Sequence, residues 1–355
     1  TGGAGDDTLT GGAGNDTFNV DAGTDSISDL GGSDILVVSS GATVNATSIS
    51  SFTATSGTSN AGTANLTASN SGSTINMSSS ASGAYTITGG AGTDIITGGS
   101  GNDTIVIAIS AEGNSDTVDG GTGSDTLQLS SGVHTLTTDN RLLNVETVKT
   151  HADGSTVDLT NQTESFNITV GAGTDSLKGG GAADTINILN AGEGNSDTID
   201  GGAGSDIIQL STGSHALTTD NKLLNVETIL AHASGSSIDL TNQAEAFTIT
   251  GGAAVDTLKG GSGADIITGN GGNDIITGGA GNDSLTGNAG DDTFNVDSGT
   301  DGITDLGTGS DIFVISSGAT ANATNISSFT ATSSTTNAGT ANLTAATGGG
   351  TINMS

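Results

Sequence analysis

Nineteen aspartates each close a glycine-rich turn of the form G-G-x-G-x-D or a variant of it, and most stand nine places from the next. They are Asp7, Asp16, Asp25 and Asp34; Asp94, Asp103, Asp116 and Asp125; Asp175, Asp184, Asp197 and Asp206; and Asp256, Asp265, Asp274, Asp283, Asp292, Asp301 and Asp311. The most regular copies read GGAGDDTLT from Gly2, GGAGNDTFN from Gly11, GGSGNDTIV from Gly98 and GGAGSDIIQ from Gly201. Successive glycines let the backbone curl through positive φ and turn its carbonyl oxygens toward one point. Calcium takes about six to eight oxygens at about 2.3–2.6 Å, drawn from carboxylates and backbone carbonyls, which is the donor set such a turn offers. One turn carries too few oxygens for a full shell, so a turn stacked on it must supply the rest.

Stacked turns need strands between them. After each aspartate comes a triplet such as TLT, TFN, IIT or TIV, whose middle residue (Leu9, Phe18, Ile96, Ile105) is apolar and flanked by residues that point the other way, as strand alternation requires. One short strand per half-coil stacks into two parallel sheets with Leu, Ile, Val and Phe between them.

The motif resembles the nonapeptide G-G-x-G-x-D-x-U-x of the RTX family of secreted bacterial proteins, where U is a large apolar residue and the turns bind calcium. The resemblance implies an all-β, right-handed parallel β-roll or β-helix solenoid with calcium-binding GGxGxD turns. It also implies that each turn shares its ion with the turn two repeats on, pairing Asp7 with Asp25 and Asp16 with Asp34. From Asp256 the pairs become an overlapping ladder of 256/274, 265/283, 274/292, 283/301 and 292/311. With two such pairs in each of the middle blocks, one ion per pair gives about eleven, in round terms about ten, calcium ions for the chain. RTX proteins generally leave the cell in one step on an uncleaved C-terminal signal, so the expected location is extracellular or on the cell surface. The turns around Asp25, Asp34, Asp116, Asp197 and Asp311 depart from the motif, and the intervals from Asp103 to Asp116 and from Asp184 to Asp197 are lengthened.

Composition excludes much else. There are 60 glycines, no proline, no cysteine and no tryptophan, and aromatic residues make up 2%, so a conventional large core cannot be built. A chain this polar could be disordered, but apolar residues reach 32% and recur in register with the turns. The net charge is −33, with only Arg141, Lys149, Lys178, Lys222 and Lys259 as bases. Packing the acids into rows without counterions is strongly repulsive, so metal binding and folding should be one event. Nucleic acid is excluded as a partner, because no basic patch exists to neutralise phosphate. No segment has the length of a membrane span.

Two longer periods organise the chain. The stretch from Gly12 returns from Asn288, with an insertion of one near Gly307, and the stretch from Asp139 returns from Asp220. The 355 residues therefore read as one large unit and the start of another, an excerpt of something longer. Aspartate-turn blocks are expected over 1–37, 89–128, 170–209 and 251–316, with spacers over 38–88, 129–169, 210–250 and 317–355. The spacers keep strand alternation, as at Val157 and Leu159, Phe166, Ile168 and Val170, Ile238 and Leu240, and Phe247 and Ile249. They are expected to continue the solenoid without metal, although composition alone allows flexible linkers over 53–73 and 330–350.

The remaining polar residues read as structural. His134 and His215, and His151 and His232, are equivalents under the shorter of the two periods and are expected on the surface. Glu112 and Glu193 lie in the variant turns AEGNSD and GEGNSD and are expected to be solvated. Asn161 and Asn167 begin N-x-T triplets that chains rich in threonine meet by chance. A catalytic site is a unique cluster in a cleft, and repetition of one carboxylate turn argues against an enzyme. The leading expectation is a secreted, calcium-stiffened structural protein of a bacterial surface: a filament, sheath, surface-layer or adhesin-stalk component. Its expected partners are other copies of itself, end to end or side by side, and cell-surface polysaccharide. The folding tail of a secreted enzyme and a ligand-binding adhesin surface are the alternatives.

Overall fold

The computed structural model describes residues 1–108, 115–191, 196–307 and 309–354. They form two compact units, Thr1–Gly171 with Asp175–Ala182, and Ala172–Thr174 with Ala183–Ser355. Each unit is an all-β parallel solenoid, and no α-helix occurs among the described residues. In the first unit the strands Thr8–Leu9, Thr24–Ile27, Thr43–Ile49, Thr63–Ala68, Thr86–Gly89, Thr104–Ile107, Thr126–Leu129, Thr147–Lys149 and Asn167–Val170 stack in that order into one long parallel sheet. In the second unit the equivalent sheet runs Thr185–Ile188, Ile207–Leu210, Thr228–Leu230, Thr248–Thr250, Ile266–Gly271, Ser284–Ala289, Thr300–Ile303, Thr320–Ile326 and Thr340–Ala345. Shorter parallel sheets close the other sides of the coils. The longest is Gly213–Ala216, Ser236–Asp239, Thr257–Lys259, Ile275–Thr277, Thr293–Val296, Ile312–Ile315 and Thr336–Asn337.

Period-two alternation decides which side chains face inward. Along the long sheet of the second unit Ile186, Ile208, Ile229, Ile249, Ile267, Leu285 and Ile303 stand in register as one column, all of them fully buried. Ile266, next to Ile267 in the chain, points outward and is 53% exposed. The first unit has the matching column Ile27, Ala46, Leu66, Ile87, Ile105, Leu127, Val148 and Ile168. A facing sheet in the second unit supplies its own column, Ile238, Leu258, Ile276, Phe294 and Phe313, so the core is a few columns that repeat coil by coil, which is how a chain with so few aromatics can bury its apolar residues.

Coil length varies with the turn. Where short glycine turns alternate with short strands, Thr248 pairs with Ile266 and Ile266 with Ser284, the same step each time. Outside those runs the coil is longer: Thr43 pairs with Thr63, and Thr104 with Thr126. The expectation of only two sheets fails in these longer coils. One coil carries Thr43–Ile49, Ser51–Thr53 and Ser59–Asn60 before re-entering the long sheet at Thr63, and another carries Thr320–Ile326, Ser328–Thr330 and Thr336–Asn337 before Thr340. Without a tight glycine turn the chain needs a third side to come round. Residues 53–73 and 330–350 hold the strands Thr63–Ala68 and Thr340–Ala345 and are part of the fold. The spacer alternation places Val157, Leu159, Phe166, Ile168, Val170, Ile238, Leu240, Phe247 and Ile249 in the core.

Truncating one rung of the column leaves a cavity that the flanking rungs cannot fill. Ile267→Ala is expected to cost about 2–4 kcal/mol in denaturant unfolding at saturating calcium, whereas Ile266→Ala should stay within about 0.5 kcal/mol. Equal losses for the two variants would contradict the inward column.

Candidate metal centre

The turn Gly278-Gly279-Ala280-Gly281-Asn282-Asp283 shows why the motif has its glycines. Gly279 and Gly281 sit at φ +98° and +130°, the left-handed side of the map that residues with a Cβ avoid. Gly278 is constrained differently: a methyl there would stand 2.3 Å from Asp283 Oδ2. The first glycine thus makes room for the carboxylate, and the second and fourth make the curl.

The carboxylates form ladders along the coil edges. The backbone N–H of one aspartate donates to Oδ1 of the aspartate one coil on, between Asp7 and Asp25 (3.0 Å), Asp16 and Asp34 (2.8 Å), Asp94 and Asp116 (2.9 Å), and Asp103 and Asp125 (2.7 Å) in the first unit. The second unit repeats it between Asp184 and Asp206 (2.7 Å), then at 256/274, 265/283 and 274/292 (2.8 Å each), 283/301 (3.0 Å) and 292/311 (2.9 Å). Where the preceding coil has no aspartate, Tyr85, Ser155, Ser236 and Phe247 donate to Asp103, Asp175, Asp256 and Asp265. Asp197 is fully buried in the second unit. The departures from the motif at Asp25, Asp34, Asp116 and Asp311 leave the ladder geometry intact, because it needs only the register and one carboxylate.

The second carboxylate oxygens turn toward the glycines of the turns, and those of Asp103, Asp256, Asp265 and Asp311 accept a glycine N–H there. A methyl at Gly260 would meet Asp265 Oδ2 at 2.3 Å and the carbonyl oxygen of Gly278, one coil on, at 2.4 Å; at Gly98 the same pair is Asp103 Oδ2 at 2.6 Å and Gly120 O at 2.0 Å. At Gly2 two carboxylates converge, Asp25 Oδ2 at 2.5 Å and Asp7 Oδ2 at 3.1 Å. The Oδ2 atoms of Asp7, Asp25, Asp125, Asp206, Asp274, Asp283 and Asp301 are buried without a hydrogen-bond donor. Buried, unpaired carboxylate oxygens beside carbonyl oxygens fit a hard divalent cation such as calcium. Among the described residues no three His, Cys, Asp or Glu side chains group around one point, so a shell here must draw on backbone carbonyls, as the glycine turns allow.

Three sets of residues supporting the ladder escape motif reading. The residue before the aspartate builds an outer ladder: Thr24, Ser124, Asp291, Thr300 and Ser310 donate backbone N–H to Asp6, Asn102, Asn273, Asn282 and Asp291, at 2.8–3.0 Å. The frequent Asn or Asp at that place is its signal in the sequence. Glu146 and Glu227 stand where the next aspartate would be, accepting the N–H of Asp125 at 2.6 Å and of Asp206 at 2.7 Å. Arg141 and Lys222 donate to the carbonyls of Ser115 and Ser196, beside Asp116 and Asp197, at 2.6 and 2.9 Å. Glu112 and Glu193 lie outside the described residues.

The surface reading of two histidines is wrong. His134 and His215 are completely buried, in register with Val157 and Leu177 and with Ile238 and Leu258. Each uses Nε2 against the carbonyl of Ser130 or Ser211 at 2.9 Å. The hydrogen bond makes an apolar-column position tolerable to a neutral imidazole, and burial lowers both pKa values. His232 is exposed, and His151 is half-exposed beside Asp153 at 3.6 Å.

Burial pushes Asp274 up to about 6; the amide of Asp256 acts against this, while the carboxylates of Asp292 and Asp256 add to it. Asp125, Asp206, Asp283, Asp292 and Asp301 also rise to about 6, with burial first among the causes and neighbouring carboxylates adding to it. A raised carboxylate pKa contributes stability that is fully present below the unfolded value near 3.8 and lost as pH rises through about 6. The two buried histidines act oppositely, losing their contribution as pH falls below 6.5, but they are outnumbered. In chelator the chain should therefore show more β-structure by circular dichroism at pH 5 than at pH 7.5. A loss of β-signal on acidification would contradict the buried ladder.

Residues 1–27, 83–105, 109–132, 167–188, 187–214, 250–285 and 268–303 match the family described as RTX calcium-binding nonapeptide repeat (4 copies). No curated protein matches the chain. The matched stretches hold every ladder aspartate except Asp34 and Asp311, whose geometry is that of the others. Matched repeats, parallel coils and stacked carboxylate turns agree: the chain is a calcium-binding RTX-repeat protein.

Proposed function

We propose that this protein is a secreted structural component of a bacterial cell surface, a filament, sheath, surface-layer or adhesin stalk, that folds and stiffens on meeting extracellular calcium. The observation that carries this reading is the ladder: carboxylate upon carboxylate at one-coil spacing, with buried oxygens that lack donors. The ligands we assign are its nineteen aspartates, Asp7 to Asp311, with the glycine carbonyls of the turns, and one ion per pair gives about ten. Calcium, when bound, supplies the positive charge that stacked carboxylates need. Before that, a net charge of −33 keeps the chain extended by self-repulsion, which suits passage through an export channel. Afterwards the turns lock the strands in register, and the narrow core resists bending.

The same donor set in coil after coil supports a scaffold in preference to a catalytic cleft. Among the described residues no helix is long and apolar enough to cross a membrane.

A calcium titration followed by circular dichroism and calorimetry, with magnesium as control, tests this reading. The expected result is a cooperative coil-to-β transition between about 0.1 and 1 mM calcium, near ten ions bound, and no response to magnesium. A chain already β-rich in chelator at neutral pH, or unfolded at about 10 mM calcium, would refute coupled folding. Asp283→Asn removes a charge shared by the 265/283 and 283/301 pairs and should lower the count by about two ions; an unchanged count would remove Asp283 from the ligand set.

A further inference from the structure

We propose that one ladder in each unit ends in a calcium site that the nonapeptide motif does not contain, closed by Glu146 in the first unit and by Glu227 in the second. The proposal rests on the reading of the ladder as calcium-binding and extends it to residues outside the family match, which stops at 132 and at 214 in these two places.

Two consecutive rungs share one arrangement. At Gly98 the cradle is formed by Asp103 Oδ2 and by Gly120 O one coil on, at 2.6 and 2.0 Å from a methyl built on the glycine. At Gly120 the corresponding atoms are Asp125 Oδ2 at 2.7 Å and Asn144 O at 1.9 Å. In the second unit Gly201 has Asp206 Oδ2 at 2.6 Å and Asn225 O at 2.1 Å. The asparagine carbonyl thus stands where a motif glycine's carbonyl stands in the regular rung. Asn144 and Asn225 reach that place by adopting φ +51°, a left-handed conformation that asparagine tolerates better than most residues. Their side chains hold the turn by donating to Asp119 at 2.7 Å and to Asp200 at 2.6 Å.

The carboxylate is replaced in the same way. Glu146 and Glu227 accept the aspartate N–H as a ladder aspartate would, from a short Asn-Val-Glu turn with no glycine loop. Accepting that N–H does not account for the other side of the rung: Asp125 and Asp206 are each 1% exposed, and their Oδ2 atoms have no hydrogen-bond partner. A buried, unpartnered carboxylate oxygen, with a backbone carbonyl at the same glycine and an exposed second carboxylate held on the aspartate's own N–H, is a place for a hard divalent cation. The arrangement occurs in both units from the same residues, Asn-Val-Glu-Thr, so it belongs to the repeat. It gives the ladder a last rung where the chain leaves the glycine turns for a spacer.

The test counts ions on the full chain by native mass spectrometry, with and without the double substitution Glu146→Gln and Glu227→Gln. Glutamine keeps an oxygen to accept the N–H but not the charge. The expected result is two fewer calcium ions with the calcium-dependent β-signal retained; an unchanged count with unchanged affinity overturns the proposal. Should the double variant not fold, anomalous scattering from crystals of the unaltered chain grown in calcium decides. A peak between Asp125 and Glu146 supports the site, and peaks along the aspartate ladder with none there overturn it. A chain that binds no calcium anywhere removes the ladder reading and this extension together.

Discussion

Carboxylates stand above carboxylates at one-coil spacing in both units, and every other feature of the fold answers that repulsion. Within a run each accepts a hydrogen bond from the backbone N–H of the aspartate one coil before it, which fixes its orientation but leaves its charge in place. Burial then lifts several of these groups well above the ordinary carboxylate range. Ionisation of these groups at neutral pH therefore works against the stacked arrangement, and a cation held between them would offset it. This inverts the usual order in small proteins, where an apolar core forms and a metal decorates it. Here the core is a narrow stack of Ile, Leu, Val and Phe columns between facing sheets, through which every coil brings its carboxylates to the same edges.

The coils between ladder runs solve a different problem. They lack the glycine turn, so they come round on a third side and bury threonine- and alanine-rich strands such as Thr43–Ile49 and Thr320–Ile326. Their inward residues continue the same columns, so strand pairing passes from carboxylate turns to spacers without a break in the long sheet of each unit. Arg141 and Lys222, two of only five bases, lie against the carbonyls next to Asp116 and Asp197, where a fixed cation meets the acidic edge.

Much of this was legible in the residues. Position six of the motif is the carboxylate and position eight the inward side chain, so the aspartates and rungs such as Ile96 and Ile105 could be named from spacing alone. Polarity is a poor guide to exposure at His134 and His215, where the alternation with Leu136 and Leu217 in GVHTL and GSHAL marks the histidines as inward. Glu146 and Glu227 escape a motif that defines a turn by its glycines, whereas the ladder needs only a carboxylate at the right place in the coil. The third side of the spacer coils follows from turn length, which strand alternation does not encode.

Coil length also has a meaning for how such a chain grows. The long sheet of the first unit advances four strands from Thr86 to Asn167, and that of the second unit advances four strands from Thr185 to Ile266. The two spans are equal, and each equals the distance along the chain from Asp139 to its repeat at Asp220. Copying a segment of this size inserts a whole number of coils, so each column of apolar side chains and each row of carboxylates resumes in phase. Recombination between such copies can lengthen or shorten the protein without creating a misaligned intermediate, which makes reach a heritable quantity adjusted in steps of complete coils.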